Sequence, residues 1–547
     1  LSRIGEAAAP VLVDILAGSR EQEDQARILA LMESVGADML MPLGEALSTE
    51  DPALRHAILK ALGRILPSAM ALTQPPKRAY ALACVQEIRE SAADTPQARE
   101  AAEEILKAFP DLKGSAADLF LKASEELYRG EPRAFATIRL DKLTMSLAQC
   151  FTWSKAAKRL EPVHLMQFGT GEAPVAGFMP AFAYNEIASA VAARRALRIR
   201  PSNDAALAQY VLAVVSELTE NRTLQAQAAD HPEIQIVIEP LKLREQQLRE
   251  EFIRAQATGP RVLAGALHRA LNYRETGSAR YLAQELGRMG KGSALPSAKD
   301  EFDRQWKASQ AAFIAPAGSA APQAANPGIS PLVAALDDPY PAIQYEAALA
   351  IARIEPAKPF YGREKVVELL SRAVSDVPPR VVLIVSPDSE FANTAARELA
   401  AMGYGTVTAL DGRDALRKAR EFPSKDAILL DHVDEARAGT LKVRLKLRDD
   451  LGLQSPIGIF DALQSDFRSR QLPTWVVLPS VEDQTRLAYP ANRVAGFLSR
   501  PVTRAGLEEQ IDKGLDEKSK PKTWEDTALA AAAALGAMDP ARSVFAD

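Results

Sequence analysis

Residues 380–419 read RVVLIVSPDSEFANTAARELAAMGYGTVTALDGRDALRKA, in which short apolar runs alternate with longer amphipathic stretches. The apolar runs have the length of buried strands, and the stretches between them have the spacing of helices. The predicted order is strand, helix, strand, helix and strand, at residues 381–385, 389–402, 405–410, 411–422 and 427–431. Apolar strands joined by helical crossovers predict a parallel sheet covered on both faces. We therefore expect a flavodoxin-like α/β fold with its chemistry at the carboxyl ends of the strands.

Motifs within and after this stretch fit one family. The pattern AxDGxxAL is formed by Ala409, Asp411, Gly412, Ala415 and Leu416. Ser386 and Asp431 are 45 residues apart, and FLSRPVT at 497–503 has the form of a last strand. The region resembles the receiver domains of response regulators. The resemblance implies a five-stranded parallel sheet and makes Asp431 the counterpart of the phosphate acceptor.

The chemistry of that family needs charges that this chain lacks. In a receiver domain, two acids after the first strand and the acceptor Asp hold Mg²⁺, and a Lys pairs with the phosphate. Ser386 and Pro387 stand at the acid positions, Asp388 lies one residue late, and Arg500 replaces the Lys. We therefore predict that Asp431 is not phosphorylated with the help of Mg²⁺ and that it pairs with Arg500 instead.

Two segments compete for the fourth strand. SPIGIFDA at 455–462 would place Asp461 at the hydroxyl position of the family, whereas LPTWVVLPS at 472–480 offers Leu478 or, two residues late, Ser480. Asp461 would repel a phosphate, and Leu478 has no group that binds one. Both segments stay open, and the candidate pocket comprises Asp431, Asp388, Ser386, Arg500, Asp461 and Ser480.

Most of the remaining chain has the pattern of paired helices. In STEDPALRHAILKALGRILP, residues 48–67, apolar residues follow an Asp-Pro turn at helical spacing. The same pattern returns at 331–356. Both copies resemble HEAT repeats, whose Asp-Pro turn is followed by an Arg. That residue is Arg55 in the first copy and Gln344 in the second, a change that we expect to weaken the bond within the turn.

Other segments have weaker patterns. Residues 181–221 resemble the end of one tetratricopeptide unit and the start of the next, with Pro201 ending a helix and Asn203 starting another. Residues 130–180 lack helical spacing, and we expect an irregular loop there. GRMGKGSA at 287–294 lacks the Gly-Lys-Ser/Thr triplet of a phosphate-binding loop and predicts a plain loop.

Composition limits the classes of function. Lys and Arg total 66 against 71 Asp and Glu, a net charge of −5, so the chain has no general basic surface for nucleic acid. The two Cys residues have no disulfide or zinc-site spacing, which favours a cytoplasmic location. No apolar run is long enough for a membrane span. The chain begins at Leu1 within a predicted helix, so we expect sequence upstream and leave a signal peptide open.

The expected architecture is mainly α-helical, a HEAT/tetratricopeptide-like solenoid with one α/β receiver-like domain. The expected segments are helical repeats at 1–125, a mixed helical region at 126–312, an Ala/Pro-rich linker at 313–330, a helical repeat at 331–376, the receiver-like domain at 377–516 and the start of another repeat at 517–547. We expect a non-enzymatic scaffold that binds proteins and needs no cofactor or metal. An active regulator phosphorylated at Asp431 and an enzyme built on the repeats are the alternatives.

Overall fold

The computed structural model divides the chain into two compact units, Leu1–Arg269 and Ala270–Asp547, and each is described by itself. The structure describes residues 5–19, 21–68, 75–130, 136–140, 143–163, 166–168, 175–229, 235–289, 330–356, 359–360, 362–375, 380–420, 425–433, 455–466, 469–470, 472–480, 484–516, 522–538 and 544–545. The predicted linker at 313–330 falls outside these residues, apart from Ser330. No helix in the described ranges is apolar over a length that would cross a membrane.

The first unit is built mostly of helices around an apolar core. Its α-helices are α1 (Ala9–Gly18), α2 (Gln22–Val35), α3 (Leu40–Ala46), α4 (Pro52–Ser68), α5 (Pro75–Glu90), α6 (Pro96–Lys107), α7 (Ala116–Tyr128), α8 (Tyr184–Ile199), α9 (Asp204–Ala229) and α10 (Gln235–Gln256). Helix α11 (Pro260–Tyr273) spans the point where the two units are divided. The core between α3, α5, α7 and α8 includes Leu43, Tyr80 and Phe120, each fully buried.

The prediction of an irregular loop at 130–180 is wrong, because this region contains six strands. They are β1 (Ala136–Leu140), β2 (Leu143–Ala148), β3 (Phe151–Ser154), β4 (Arg159–Pro162), β5 (Met166–Phe168) and β6 (Val175–Pro180). β3 and β4 form an antiparallel hairpin, and the other four form a sheet in the order β1-β2-β6-β5. The hairpin packs against α1 and α3 and buries Phe151 and Leu160. Its strands are only four residues long, too short for a clear period-2 pattern.

The turns that suggested helical repeats have local bonds that explain the helix boundaries. Asp51 accepts a hydrogen bond from the Ala53 N–H at 2.9 Å and so caps α4. Arg55 donates to the carbonyl of Thr49, six residues earlier. Gln344 likewise donates to the carbonyl of Asp338, six residues earlier, at 2.7 Å. The replacement of Arg by Gln therefore keeps a bond to the equivalent carbonyl, while the repeat type itself stays a prediction.

The second unit contains a group of helices and a separate α/β module. The helices of the group are α12 (Thr276–Met289), α13 (Pro331–Ala335), α14 (Pro341–Ile354), α15 (Arg363–Ser375) and α21 (Lys522–Ala537). Helix α21, in the segment predicted to begin another repeat, packs against α14 and α15. Gly287, which we placed in a loop, lies inside α12, whereas 290–294 fall outside the described residues.

The receiver-like module, residues 380–516, has the predicted five-stranded parallel sheet. Its strands are β7 (Val381–Val385), β8 (Gly405–Ala409), β9 (Ala427–Asp431), β10 (Thr474–Leu478) and β11 (Gly496–Ser499). Its helices are α16 (Ser389–Ala401), α17 (Gly412–Arg420), α18 (Pro456–Ser465), α19 (Arg504–Leu507) and α20 (Lys513–Asp516), with a π-helical turn at Glu508–Asp512. The strand order β8-β7-β9-β10-β11 is the flavodoxin-like order 2-1-3-4-5.

The fourth strand is Thr474–Leu478, and the alternative at 455–462 is excluded. Every residue of this strand is buried, as expected for a central strand of a parallel sheet. The competing segment forms α18 because the Ser455 hydroxyl accepts a hydrogen bond from the Gly458 N–H at 3.0 Å and Pro456 occupies the first helical position. Asp461 therefore lies on a helix and not at a strand end.

Candidate functional site in the receiver-like module

The parallel sheet brings three polar side chains together at the carboxyl ends of its strands. Ser386 follows β7, Asp431 ends β9, and Arg500 follows β11. β7 and β9 are neighbours, so Ser386 and Asp431 lie side by side although 45 residues separate them. Arg500 is long enough to reach Asp431 across the intervening strand β10.

Asp431 is the buried centre of this group. Its side chain is fully buried. Oδ2 accepts a hydrogen bond from the Ser386 hydroxyl at 2.6 Å and another from Arg500 Nη2. Oδ1 accepts a hydrogen bond from Arg500 Nε at 3.0 Å. Both carboxylate oxygens are therefore engaged, and the contact with Arg500 is bidentate.

Ser386 is held in place by the backbone around it. The residue is fully buried, and its N–H donates to the Ala409 carbonyl at 2.9 Å, which extends the pairing of β7 with β8. The Asp388 N–H donates to the Ser386 hydroxyl oxygen at 3.0 Å. The hydroxyl proton is thus available for Asp431, a contact that the sequence did not indicate.

Asp388 has two roles at the rim of the site. As the N-cap of α16, its Oδ1 accepts the N–H groups of Glu390 and Phe391 at 3.1 and 3.2 Å. Its Oδ2 accepts a hydrogen bond from Arg500 Nη1 at 3.3 Å. Burial by itself would raise the pKa of Asp388, but the bonds from Phe391 and Arg500 outweigh it and hold the pKa below its ordinary value.

Arg500 closes the site from the solvent side. Its guanidinium bridges Asp431 and Asp388 and lies 4.4 Å from the centre of the Phe391 ring. A guanidinium in this position gains charge-assisted hydrogen bonds and a cation–π contact together. Because a Lys ammonium has no planar fork of donors, it would not reproduce this set of contacts.

The pKa of Asp431 reflects opposing influences. Burial is the largest and raises the pKa above its ordinary value, because it disfavours the charged carboxylate. The hydrogen bonds from Ser386 and Arg500 and the charge of Arg500 act in the opposite direction. The charged form of Asp431 therefore depends on Arg500 for its stability.

The remaining predicted site residues, Asp461 and Ser480, are both exposed. Asp461 is exposed on α18. Ser480 is exposed beyond the end of β10. Leu478, the last residue of β10, is fully buried, and its carbonyl accepts a hydrogen bond from the Arg500 N–H at 2.9 Å. The contacts described above join Ser386, Asp388, Asp431 and Arg500, and Asp461 and Ser480 take no part in those contacts.

A second polar contact beside the site was not predicted. His432 Nδ1 and the Tyr489 hydroxyl lie 2.7 Å apart, and both residues are buried. The Tyr489 ring packs edge-on against Phe460 at 5.3 Å, and burial raises the pKa of its hydroxyl above the ordinary value. His432 directly follows Asp431 in the sequence, but nothing local marks Tyr489 as its partner.

Within the described ranges, no group of three or more His, Cys, Asp or Glu side chains is arranged to hold a metal ion. The Ser386–Asp431–Arg500 group contains one carboxylate at its centre and one, Asp388, at its rim. The geometry thus provides an internal ion pair at the carboxyl ends of the parallel strands.

Several of the solved structures that this chain resembles cover about a quarter of it. No family model and no curated protein matches the chain. The chemotaxis protein CheY4 of Vibrio cholerae is 18% identical, with 25% of this chain and 98% of that chain covered and a TM-score of 0.20. A sensor protein from Polaromonas sp. JS666 is 20% identical, with 26% of this chain and 100% of that chain covered and a TM-score of 0.21. A CheY-like receiver domain protein from Methanospirillum hungatei JF-1 is 18% identical, with 25% of this chain and 95% of that chain covered and a TM-score of 0.20. The assignment of the fold rests on the strand order.

Proposed function

We propose that this protein is a non-enzymatic scaffold that binds other proteins, and that its receiver-like module is a pseudo-receiver, a binding or structural module without a phosphate switch. The observation that carries the proposal is the contact of Arg500 and Ser386 with both oxygens of Asp431. This contact takes the place of the magnesium ion and the incoming phosphoryl group.

Magnesium binding is disfavoured at this site. Mg²⁺ requires oxygen ligands in a near-octahedral arrangement and usually binds one or two carboxylates. Ser386 and Pro387 supply no charge, and the carboxylate of Asp388 caps α16 and contacts Arg500. A divalent cation on Asp431 would lie directly beside the guanidinium of Arg500, so like charges would repel one another.

Nucleophilic attack by Asp431 is also disfavoured. The acceptor of a phosphoryl group needs a free carboxylate oxygen and access for the donor. Both oxygens of Asp431 accept hydrogen bonds, and its side chain is fully buried. Freeing it would require Arg500 to leave, and separating a buried ion pair is costly because both charges lose their partners.

The helices support the proposal that the protein is a scaffold that binds other proteins. Arrays of helix pairs present extended faces, and proteins built from them usually bind other proteins. The cap at Asp51, the bond from the Tyr340 N–H to Asp338 within its turn, and the equivalent bonds from Arg55 and Gln344 favour the HEAT-like interpretation. The function follows from fold-level analogy, so the partner has to be identified by experiment.

Phosphorylation is tested on the full chain with acetyl phosphate and Mg²⁺, followed by intact mass spectrometry. We expect no mass increase corresponding to a phosphoryl group, under conditions in which an active receiver domain is labelled. The Asp431→Asn variant is the matched control. Magnesium-dependent labelling of the wild type that is absent from Asp431→Asn would overturn the proposal and make the protein an active regulator.

Partner binding is tested by cross-linking the tagged full chain in its native cells and mapping the linked residues. We expect cross-links from exposed helix faces to one or a few defined proteins. If the chain cross-links no protein above the level of a tag-only control, the scaffold proposal is wrong.

A further inference from the structure

A cavity of about 380 Å³ lies within the first unit, between the end of α3, helices α4, α5 and α8, and the turn that joins β3 to β4. Its volume is at the small end of the range of roughly 300–1,000 Å³ found for small-molecule sites. The lining is rich in charged side chains, and none of it belongs to the receiver-like module.

The floor of the cavity holds a fixed arginine. Arg195 is only 5% exposed, and its Nη1 donates to the Gly44 carbonyl at 3.2 Å and to Cys84 Sγ at 2.6 Å. Its Nη2 donates to the Ser48 hydroxyl. Glu45 lies behind it, with Oε1 3.3 Å from Nε, but Nε has no hydrogen-bond acceptor within the described part of the chain. Three of its five N–H groups thus have acceptors, and these bonds hold the guanidinium in place at the floor of the cavity.

Two cations on the rim have no counter-ion among the described residues. Lys155 lies in the β3–β4 turn and Arg198 lies on α8, one turn after Arg195. Both are exposed, and neither forms an ion pair or hydrogen bond with any residue that the structure describes. Positive charges around a concave surface reinforce one another and attract anions.

The acidic residues of the cavity differ in whether a cation pairs with their carboxylate. Asp94 pairs with Arg55, and Glu87 lies 3.7 Å from Arg195. Among the residues that the structure describes, Glu90 accepts hydrogen bonds only from neutral groups, Gln86 Nε2 at 2.6 Å and the Ala116 N–H at 3.1 Å. Within the described ranges, the cavity therefore presents two unpaired cations, Lys155 and Arg198, and one carboxylate without a cationic partner, Glu90.

We propose that this cavity binds a small zwitterion with the chemistry of a free amino acid or a dipeptide. The carboxylate of the ligand binds Arg198 and Lys155, and the positive charge of Arg195 attracts it as well. The ammonium group of the ligand binds Glu90. A simple anion would satisfy the two rim cations but would face the carboxylates of Glu87 and Glu90 at the cost of like-charge repulsion. A zwitterion complements both sides of the cavity.

The test is isothermal titration calorimetry of the full chain with the standard free L-amino acids, dialanine, succinate and inorganic phosphate as probes. We expect saturable binding of at least one amino acid or of dialanine. The variants Arg198→Ala and Glu90→Gln should each weaken it by about tenfold or more, because each removes a charge-assisted hydrogen bond. Lys155→Ala should weaken binding of the same ligand.

Matched controls come from exposed residues of the same unit. Lys60→Ala, on α4 but outside the cavity lining, and Arg99→Ala, on α6, should leave the affinity unchanged. Circular dichroism and thermal unfolding establish that each variant folds as the wild type does.

Two results would overturn the inference. The first is no saturable binding of any probe at millimolar concentration. The second is that succinate or phosphate binds as tightly as the best amino acid, or that Glu90→Gln leaves amino-acid affinity unchanged. In either form of the second result the cavity has no site for the ammonium group.

Discussion

Arg500 makes four contacts that a lysine at the same position would not make together. It donates two hydrogen bonds to Asp431 and one to Asp388, and its guanidinium stacks on Phe391. The pairing with Asp431 was predictable, because the resemblance to receiver domains places both residues at carboxyl ends of strands in one sheet, although strand β10 lies between them. The part of Ser386 was not predictable, because the direction of a hydroxyl bond depends on backbone geometry that the residue type does not fix.

The first prediction concerns the strength of this ion pair. Arg500→Ala leaves the buried carboxylate of Asp431 without its cation and should lower the free energy of unfolding of the receiver-like module by about 3–5 kcal/mol. Asp431→Ala combined with Arg500→Ala should lose less than the sum of the two single variants, since neither charge is then left alone. Hydrogen exchange of the β7 and β9 amides in increasing urea measures both effects. Additive losses would show that the two residues do not interact.

A second prediction concerns Glu45 in the first unit. Burial favours the neutral form of Glu45, but the charge of Arg195 and the hydrogen bonds from Tyr80, Thr152 and the Trp153 N–H lower its pKa below the ordinary 4.5. A carboxyl group with a lowered pKa stabilises the folded state above its ordinary pKa, and this contribution is lost as the pH falls through the folded pKa.

The stability difference between wild type and Glu45→Gln should therefore be largest at neutral pH and should shrink at pH values below 4.5. Urea unfolding of both proteins, followed by hydrogen exchange in α3 and β3, gives this difference at each pH. Glu23→Gln is a control at an exposed carboxylate. A difference that is constant from neutral to acidic pH would contradict the lowered pKa.

At the scale of elements, burial decides which parts of the fold are predictable. β7, β9 and β10 are buried along their whole length, so each is a continuous apolar run that the sequence displays directly. The hairpin of β3 and β4 is half-buried, and each of its strands has only four residues. The alternation of apolar and polar residues is therefore too short to stand out from the polar residues of the turn. At 455–462 the cap at Ser455 and the Pro at 456 favour a helix, and these local signals outweigh the apolar run that a strand would need.

Helices α12 and α14 approach closely at Gly287, which gives the third prediction. A Cβ atom at Gly287 would lie 2.8 Å from the Cα of Ala350, a backbone atom that cannot rotate away. Gly287→Ala should therefore lower the free energy of unfolding, because overpacking costs about 1–3 kcal/mol and exceeds the gain of about 1 kcal/mol in helix propensity.

The matched control is Gly536→Ala on α21, where no described atom lies within 4 Å of the added Cβ. This exposed position should be stabilised by roughly 0.5–1 kcal/mol, because only the propensity of the helix changes. Thermal unfolding of both variants gives the comparison. Equal stabilisation of the two would show that α12 and α14 have room for a methyl group at Gly287.

At the scale of the whole molecule, the first unit contains buried charges as well as an apolar core. Lys77 pairs with Glu6 at 2.8 Å and with Asp38 at 3.1 Å, and the Tyr184 hydroxyl donates to Glu6 at 2.8 Å. These contacts join residues that are far apart in the sequence, so no local pattern predicts them. The helical composition was predictable from periodicity, whereas the repeat type and segment limits stay predictions because helical spacing fits many packings.

We expect that Asp431 of the receiver-like module does not accept a phosphoryl group. The most direct test is fluorine NMR of the full chain with beryllofluoride and Mg²⁺. Beryllofluoride mimics a phosphoryl group on an aspartate, and an active receiver domain serves as the positive control. We predict no signal from protein-bound beryllofluoride at millimolar Mg²⁺, because Arg500 and Ser386 engage both oxygens of Asp431. A saturable bound signal that disappears in Asp431→Asn would contradict the account and establish a working phosphate site.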